Sequence, residues 1–224
     1  QNQKPRILYS QYALGGPLPD EWIKCIQLVD KIIIPGQFDM PAFSSVHEDV
    51  GICPQLVDYD LFKPMPKYRK EGSEKISFLF VGSFSFRKGL DLVAQAFNKA
   101  FRDGRQVHIH LLISGEVNLS EIFRLARSLP SNIEITGSNR TYHSAWMRRI
   151  INRFDVVFTL SRGEGWCMPL WEALFSGIPV VAPNSTAMGE YLPSKGVSKI
   201  NLYLNFCPIK IQLHYLDHLH IKIL

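Results

Sequence analysis

The sequence contains few cysteines, and none of them has a metal-binding spacing. Cys25, Cys53, Cys167 and Cys207 form no C-x-x-C pair and have no matching histidine pattern. Isolated cysteines of this kind are typical of reduced cytosolic thiols rather than of a zinc site or a disulfide framework. We therefore expect a protein of the cytoplasm without a structural metal.

Several other signatures are missing. No apolar run reaches the roughly 18 residues that a membrane-spanning helix needs. Neither G-x-G-x-x-G nor a Walker A sequence occurs, which disfavours dinucleotide-dependent dehydrogenases and P-loop enzymes. A dense Lys/Arg block with interleaved aromatic residues is also absent, so we expect no nucleic-acid partner.

The composition is that of a globular protein with a mild positive charge. The 224 residues are 46% hydrophobic, which suits one sizeable domain or two small ones. The formal net charge of +5 suits an anionic substrate or an anionic lipid surface. A peripheral contact with a membrane surface is therefore one expectation.

From residue 77 onward, short apolar runs alternate with helical patterns. The runs predict strands at Phe78–Val81, Val107–Ile113, Ile133–Thr136, Val156–Leu160 and Pro179–Ala182. Helical spacing predicts helices over Leu90–Phe101, Leu119–Ala126 and Trp146–Phe154. This alternation indicates an α/β fold with a Rossmann-like, doubly wound parallel sheet, which binds ligands at the carboxyl ends of its strands.

The segment 161–182 carries the clearest chemical pattern. Glu164 and Glu172 are separated by seven residues, and Pro169 between them suits the first turn of a helix. The N–H groups of a helix start can bind an anion, while carboxylates accept hydrogen bonds from hydroxyl groups. A nucleotide-sugar fits this combination, because its diphosphate is flanked by two polyols.

This segment resembles the Glu-x7-Glu segment of retaining glycosyltransferases of the GT-B fold, family 4. The resemblance rests on Glu164, Gly165, Pro169, Glu172, Ala173, Gly177, Pro179 and Val180. The chain departs from the family pattern at Trp166, Cys167 and Met168, where Phe, Gly and Leu are usual. The resemblance implies that Glu164 binds sugar hydroxyls and Glu172 the ribose hydroxyls. It also implies that the backbone of Trp166, Cys167, Met168, Pro169 and Leu170 lines the sugar and phosphates.

A second motif follows the first predicted strand of the parallel sheet. Residues 82–89 resemble the family sequence Gly-Arg-x-x-x-x-Lys-Gly, with Gly82 and Lys88 in register and Ser83 where Arg is usual. In the family, the Arg and Lys neutralise the diphosphate leaving group. The resemblance therefore implies that Lys88 and Glu164 are catalytic, that neighbouring Arg87 assists, and that no metal or other cofactor is needed.

The remaining chain predicts an incomplete second domain. Residues 57–64 resemble the Val-Asp-x-x-x-Phe-x-Pro connection between the two domains of the family. Before it, we predict a strand at Arg6–Tyr9, a helix at Glu21–Leu28 and a strand at Ile32–Ile34. The predicted organisation is the end of an acceptor-side domain in 1–62, a linker in 63–76, a donor-binding domain in 77–199 and an atypical tail in 200–224. In the tail, Ile209–Tyr215 alternate like a strand, and we expect truncation or a shifted reading frame there.

The resemblance implies a retaining transferase that moves a sugar from a UDP- or GDP-linked donor to the hydroxyl of a glycan, lipid or small-molecule acceptor. Cell-envelope glycan biosynthesis is the setting we expect. Because the active site of this family lies between two domains, we expect the chain alone to be inactive. A nucleotide-sugar-binding fragment or degenerate paralogue without turnover is one alternative.

Two further patterns contain groups that could bind a metal ion. Asp58 and Asp60 form an Asp-x-Asp sequence, which would suit a metal-dependent GT-A-type transferase in which carboxylates hold a divalent cation. This is the second alternative function. His108 and His110 alternate on one strand, but no partner has metal spacing, so we expect them to pack structurally.

Overall fold

The computed structural model describes residues 4–66, 75–140 and 142–200 of the chain. The chain divides into two units. The first includes the described residues up to Leu56, together with Arg162–Cys167 and Ser185–Leu192. The second includes the described residues of Val57–Ser161, together with Met168–Asn184 and Pro193–Ile200.

The first unit is built on a three-stranded parallel sheet. Strand β2 (Lys31–Ile34) lies between β1 (Ile7–Tyr9) and β3 (Val50–Ile52). Its three consecutive isoleucines favour an extended backbone, and Ile32 and Ile34 are fully buried. The central strand therefore provides the apolar face on which this unit packs.

Two short helices cover that face. Helix α1 (Asp20–Ile26) begins with two acidic residues and contains Lys24 in its last turn, an arrangement that complements the helix dipole. Helix α2 (Met40–Ser44) follows a 3-10 turn at Gln37–Asp39 and has a proline in its first turn. The buried core of the unit consists of Leu18, Ile26, Ile32, Ile34, Ala42 and Phe43.

The second unit contains a six-stranded parallel sheet. Its strands are β4 (Ile76–Ser83), β5 (Val107–Ser114), β6 (Ile133–Asn139), β7 (Val156–Phe158), β8 (Val180–Pro183) and β9 (Val197–Ile200). They lie in the order β6-β5-β4-β7-β8-β9. The strand order therefore reverses between β4 and β7, and the crevice outside such a reversal is where doubly wound sheets bind ligands.

Helices connect these strands. They are α3 (Val93–Ala100), α4 (Leu119–Arg127), α5 (Ser144–Ile151) and α6 (Met168–Phe175). Five aromatic rings from β4, β7 and the α3 region, of Phe78, Phe80, Phe97, Phe101 and Phe158, pack against one another with centroid distances of 5.1–6.2 Å. This cluster fixes β4 beside β7, with Phe80 paired to Phe158 in register.

The short helix α7 (Thr186–Tyr191) follows β8 in sequence and belongs to the first unit. It packs against the 3-10 turn at Gln37–Asp39. Ala187 and Met188 of this helix are buried, at 1% and 0% exposure. A segment that follows the sixth helix therefore completes a unit formed mainly from the first 56 residues.

The predicted α/β fold with a parallel sheet is confirmed, and each strand predicted between residues 77 and 199 is present. Some boundaries differ. Helix α3 begins at Val93 because a 3-10 turn, Leu90–Leu92, precedes it. Strand β7 ends at Phe158 rather than Leu160, since its pairing with β4 stops there. Strands β3 and β9 and helices α2 and α7 were not predicted.

Residues at two predicted domain edges belong to strands. Ile76, assigned to the linker, is the first residue of β4, and its N–H donates to the carbonyl of Gln106 at 3.1 Å. Ile200, assigned to the tail, is fully buried as the last residue of β9. The predicted strand at Ile209–Tyr215 lies outside the described residues.

None of the helices in the described part of the chain is long and apolar enough to cross a membrane. None of the described cysteines, Cys25, Cys53 and Cys167, is in a disulfide bond. Cys207 lies outside the described residues.

Candidate functional site

The loop that carries Lys88 begins at the carboxyl end of β4. Ser83 is the last residue of that strand, and Phe86–Lys88 form a 3-10 turn. Gly89 then adopts a left-handed conformation with φ of 71°. A Cβ atom at this position would lie 2.0 Å from the carbonyl oxygen of Leu160, so only glycine fits.

A hydrogen bond joins the same loop to the end of the β7 segment. The Ser161 hydroxyl, which is fully buried, donates to the carbonyl oxygen of Arg87 at 3.1 Å. The Ser161 N–H in turn donates to the hydroxyl of Thr159 at 3.2 Å. The loop is therefore fixed at two adjacent points, Leu160 and Ser161, immediately before the segment that contains Glu164.

Gly82 lies beside the Lys88 side chain. A Cβ atom on Gly82 would lie 3.5 Å from Cδ of Lys88 and 3.2 Å from the ring of Phe80. The methylene groups of Lys88 therefore pass close to the end of β4. The resemblance places Gly82 and Lys88 in one motif, and the structure brings the two residues close together.

Within the first unit, the backbone of Glu164 is held by the start of α7. The Glu164 N–H donates to the hydroxyl of Thr186 at 3.3 Å, and its carbonyl accepts from the N–H of Ala187 at 3.3 Å. Glu164 is only 6% exposed. Thr186 has a φ of 54°, which is a strained conformation for a β-branched residue. Such strain is tolerated when the surrounding contacts determine it.

The glycines on either side of Glu164 allow the loop to contact residues 11–13. A Cβ atom on Gly163 would lie 2.3 Å from the carbonyl oxygen of Ala13. A Cβ atom on Gly165 would lie 2.8 Å from Cβ of Gln11. Both positions exclude larger residues, because the neighbouring atoms are backbone or Cβ atoms that cannot rotate away.

Trp166 follows these glycines and is buried. Its ring lies against that of Tyr191 with a centroid distance of 4.3 Å and a tilt of 31°. Burial raises the pKa of the Tyr191 hydroxyl, so Tyr191 is neutral at physiological pH. Trp166 is only 6% exposed, so its ring is part of the packing of this unit.

Cys167 and Met168 mark the start of α6. Cys167 has a φ of 59°, the left-handed conformation that glycine adopts without strain. This explains why glycine is usual there in the family that the sequence resembles. Pro169 is the second residue of the helix, as predicted, and Leu170 is buried with 1% exposure.

Glu172 lies in the second turn of α6 and is partly buried. Burial raises the pKa of its carboxyl group to about 6. Among the residues that the structure describes, no side chain forms a hydrogen bond or an ion pair with this carboxylate. A desolvated carboxylate with free acceptor positions is suited to binding hydroxyl groups, since a hydrogen bond to a charged acceptor is strong.

Three of the four side chains weighed as metal ligands, Asp58, His108 and His110, have hydrogen-bond partners in the structure. One carboxylate oxygen of Asp58 accepts the N–H of Leu61 at 2.9 Å and closes a turn, while the Asp60 side chain is exposed. Nε2 of His108 and Nδ1 of His110 both lie within 2.8 Å of the Thr136 hydroxyl. Within residues 4–66, 75–140 and 142–200, no three His, Cys, Asp or Glu side chains are placed to share a metal ion.

Comparison with known proteins identifies the family. Residues 75–202, more than half of the chain, match the family described as "Glycosyl transferases group 1". The chain belongs to this family. It is 24% identical over 201 residues to "Putative glycosyltransferase 45" of the Sulfolobus islandicus filamentous virus (isolate Iceland/Hveragerdi). That match covers 87% of the chain and 52% of the relative, so the chain spans about half the length of this curated relative.

Solved structures share the fold of this group 1 glycosyltransferase chain. Anabaena Alr3699/HepE, in complex with UDP and glucose, matches with a TM-score of 0.63 at 16% identity. The match covers 85% of this chain and 55% of the Alr3699/HepE chain. A UDP-forming trehalose-phosphate synthase from Burkholderia xenovorans matches with a TM-score of 0.65 at 15% identity. This match covers 88% of the present chain and 57% of the synthase chain. The GT-B type of fold that the sequence predicted is confirmed.

Sequence reasoning missed several residues that shape the candidate site. Ser161 and Thr186 were not singled out, and Gly89 was quoted only as part of a motif. A serine directly after a buried strand and a threonine after a serine are too common to identify a role. The left-handed φ of Thr186 could not be foreseen, since β-branched residues disfavour it.

We predict that Gly89→Ala strongly destabilises the protein. The new methyl group would meet the Leu160 carbonyl, and alanine would also be strained at a φ of 71°. We expect the free energy of unfolding to fall by about 3 kcal/mol or more. Gly104→Ala is the matched control, because Gly104 has a φ of 80° and nothing within 4 Å. It should cost only about 1 kcal/mol, and equal losses in chemical denaturation would contradict the role given to the Leu160 contact.

We predict that Cys167→Gly stabilises the protein. Glycine removes the strain of the left-handed conformation, and this gain exceeds the entropy that glycine adds to the unfolded chain. The expected increase in the free energy of unfolding is about 0.5–1 kcal/mol. Cys167→Ala keeps the strain and should give no increase. A stabilisation by alanine equal to that by glycine would show that loss of the thiol, not the backbone, is responsible.

We predict that the affinity for a nucleotide-sugar depends on the protonation of Glu172. In the free protein the carboxyl has a pKa of about 6, and hydroxyl donors would favour its ionised form. Affinity should therefore rise about tenfold between pH 5 and pH 7 and then level off. A nucleotide-sugar is the right ligand for calorimetry, because its diphosphate has no terminal phosphate that titrates near pH 6. Glu172→Gln should remove the dependence, and a parent-like pH profile in that variant would contradict the assignment.

The unliganded protein provides the control for this experiment. Because the folded-state pKa is raised above the usual 4.5, the native state binds more protons between pH 4.5 and about 6. Stability is therefore lost as the pH rises through this range, by roughly 1–2 kcal/mol. Glu172→Gln should be more stable than the parent at pH 8 and similar to it at pH 4.

Proposed function

We propose that this chain binds the donor of a retaining glycosyltransferase, which transfers a sugar from a nucleoside diphosphate to an acceptor hydroxyl. The observation that carries the proposal is the attachment of the Lys88 loop to Leu160 and Ser161. It brings the cationic motif to the end of β7, directly before the Glu-x7-Glu segment. Membership of the group 1 glycosyltransferases supports the same conclusion.

The first task of the site is to stabilise the leaving diphosphate. Negative charge grows on the phosphate oxygens as the glycosidic bond breaks, and Lys88 provides a fixed positive charge. The N–H groups in the first turn of α6 add further donors, because they have no partners within the helix. Removing one such preorganised donor typically costs about 3 kcal/mol of transition-state stabilisation. Arg87, one residue before Lys88, takes the place of the arginine usual at Ser83.

The second task is to hold the two polyol ends of the donor. Glu172 accepts hydrogen bonds from the ribose hydroxyls, and its raised pKa reflects a carboxylate that lacks such donors in the free protein. Glu164 accepts hydrogen bonds from the donor sugar. Both of its backbone polar groups are held by α7, which limits the movement of its side chain.

The donor is a UDP- or GDP-linked sugar, and the acceptor is the hydroxyl of a glycan, a lipid or a small molecule. Uridine is favoured by the similar solved structures, since Alr3699/HepE was solved with UDP and with UDP-glucose. Cell-envelope glycan biosynthesis is a setting that such acceptors suit. A peripheral contact with an anionic membrane surface is consistent with the net charge of +5.

We propose that donor binding needs no divalent metal, because Lys88 and the start of α6 supply the positive potential. The competing proposal assigns a metal to Asp58 and Asp60, but Asp58 already closes a turn through the N–H of Leu61. Calorimetry with UDP and GDP, with and without EDTA, distinguishes the metal-independent proposal from the metal-dependent one. Binding that survives EDTA supports the proposal. Binding that is lost in EDTA and restored by manganese supports the metal-dependent alternative.

The experiment that tests turnover uses the whole protein. A panel of UDP- and GDP-sugars is offered with lipid and glycan acceptors, and the anomeric configuration of the product is read by NMR. Transfer with retained configuration supports the proposal, whereas an inverted product contradicts it. Nucleotide-sugar binding without any product would favour the alternative, a binding protein without turnover.

We predict that Lys88→Ala weakens the binding of the nucleoside diphosphate far more than that of the nucleoside. A hydrogen bond to a charged group contributes about 1.5–3 kcal/mol, so the diphosphate should lose roughly tenfold to hundredfold in affinity. Lys99→Ala, on helix α3, removes the same charge elsewhere in the second unit and should leave both affinities unchanged. Equal losses for nucleoside and diphosphate would contradict the assignment of Lys88 to the phosphates.

A further inference from the structure

We propose that two carboxylates of the first unit, Asp39 and Glu190, are positioning residues for Glu164. They act through the backbone segments that pack against the Glu164 loop, not by touching the donor. This inference rests on the proposed function, in which Glu164 binds the donor sugar.

Asp39 fixes the backbone of residues 11–13. It ends the 3-10 turn at Gln37–Asp39 and is only 2% exposed. One carboxylate oxygen, Oδ2, accepts the N–H of Tyr12 at 3.1 Å. The other oxygen, Oδ1, is buried without a hydrogen-bond partner among the described residues. The single hydrogen bond of this carboxylate therefore goes to the segment that contacts the Glu164 loop.

The segment 11–13 transmits this constraint to Glu164. The Ala13 carbonyl lies against Gly163, and the Gln11 side chain lies against Gly165. These are backbone and Cβ contacts at both neighbours of Glu164, and neither glycine leaves room for adjustment. A shift of the Tyr12 backbone would therefore displace the loop at both of these points.

Glu190 constrains the same loop from its other side. Its carboxylate oxygen Oε1 accepts the N–H of Gln37 at 2.7 Å, two residues before Asp39. Glu190 lies on α7, whose first residue, Thr186, accepts the N–H of Glu164. The Gln37–Asp39 turn is thus connected to the Glu164 loop by two routes, one through residues 11–13 and one through α7.

Asp39 is poorly suited to stabilising the fold. Burial, and also the negative charge of Glu190, raise the pKa of Asp39 to about 6, although the Tyr12 N–H partly opposes this. An ionised side chain with one unpaired oxygen and a like charge nearby destabilises the unit that contains it. Stability alone therefore does not account for Asp39, whereas a role in holding the Glu164 loop does.

The test compares the affinity for a nucleotide-sugar with the affinity for its diphosphate, using UDP-glucose against UDP and GDP-mannose against GDP. Glu164→Gln should lower the nucleotide-sugar affinity about tenfold and leave the diphosphate affinity within twofold. Asp39→Ala should have the same selective effect. In the double variant we expect no further loss, because Asp39 acts through Glu164. Asp39→Asn, whose amide oxygen can still accept the Tyr12 N–H, should retain affinity within threefold.

Asp30→Ala is the matched control. Asp30 also accepts a backbone N–H, that of Arg6 at 2.7 Å, and lies in the same unit but outside both routes. It should leave the ratio of the two affinities unchanged. If Asp39→Ala does not fold, Glu190→Ala provides the test, since Glu190 is exposed and its truncation leaves no cavity. That variant should lower the nucleotide-sugar affinity selectively, by about threefold to tenfold.

The outcomes separate this inference from the function on which it rests. If Glu164→Gln acts selectively but Asp39→Ala and Glu190→Ala do not, the positioning role is overturned and the proposed function stands. If Asp39→Ala lowers both affinities equally, or its effect adds to that of Glu164→Gln, its role is general stability and the inference is overturned. If Glu164→Gln changes neither affinity, both the positioning inference and the proposed function fail.

Discussion

The candidate site depends on the contact between Gly89 and the carbonyl of Leu160. The loop after β4 can approach the end of the β7 segment this closely only because residue 89 has no side chain and adopts a positive φ. The Ser161 hydroxyl then fixes the same loop through the Arg87 carbonyl. Parallel sheets bring the carboxyl ends of neighbouring strands together, but this contact determines the position of Lys88 there.

A second constraint on the molecule comes from two desolvated carboxylates, Asp39 and Glu172. Burial raises the pKa of Glu172 in one unit and of Asp39 in the other, each to about 6. Both groups lower stability at neutral pH, since the ionised form is desolvated. Perturbed ionisable groups of this kind concentrate at functional sites, where a ligand or a neighbouring loop uses them. The residues with strained φ angles, Cys167 and Thr186, lie on either side of Glu172 in the sequence.

The sequence was sufficient to predict the parallel sheet, because continuous apolar runs such as Val107–Ile113 have few other interpretations. The start of α6 was also predictable from Pro169. The family was indicated by the resemblance of the segment from Glu164 to Val180 to the family's Glu-x7-Glu segment. The roles of Asp39 and Glu190 could not be predicted from the sequence. They depend on contacts between residues far apart in sequence, such as Glu190 with Gln37, that no local pattern encodes. That Ile76 and Ile200 belong to strands could not be predicted for a similar reason, since sheet pairing rather than composition decides where a strand begins and ends.

Hydrogen exchange with a bound nucleotide-sugar tests the central claim most directly. The amide groups of residues 82–89 and of the first turn of α6 should exchange more slowly when UDP-glucose or GDP-mannose is bound, because both segments would contact the diphosphate. Protection should be lost in Lys88→Ala for residues 82–89. Protection centred instead on residues 57–63, around Asp58 and Asp60, with no change in the two predicted segments, would contradict the account.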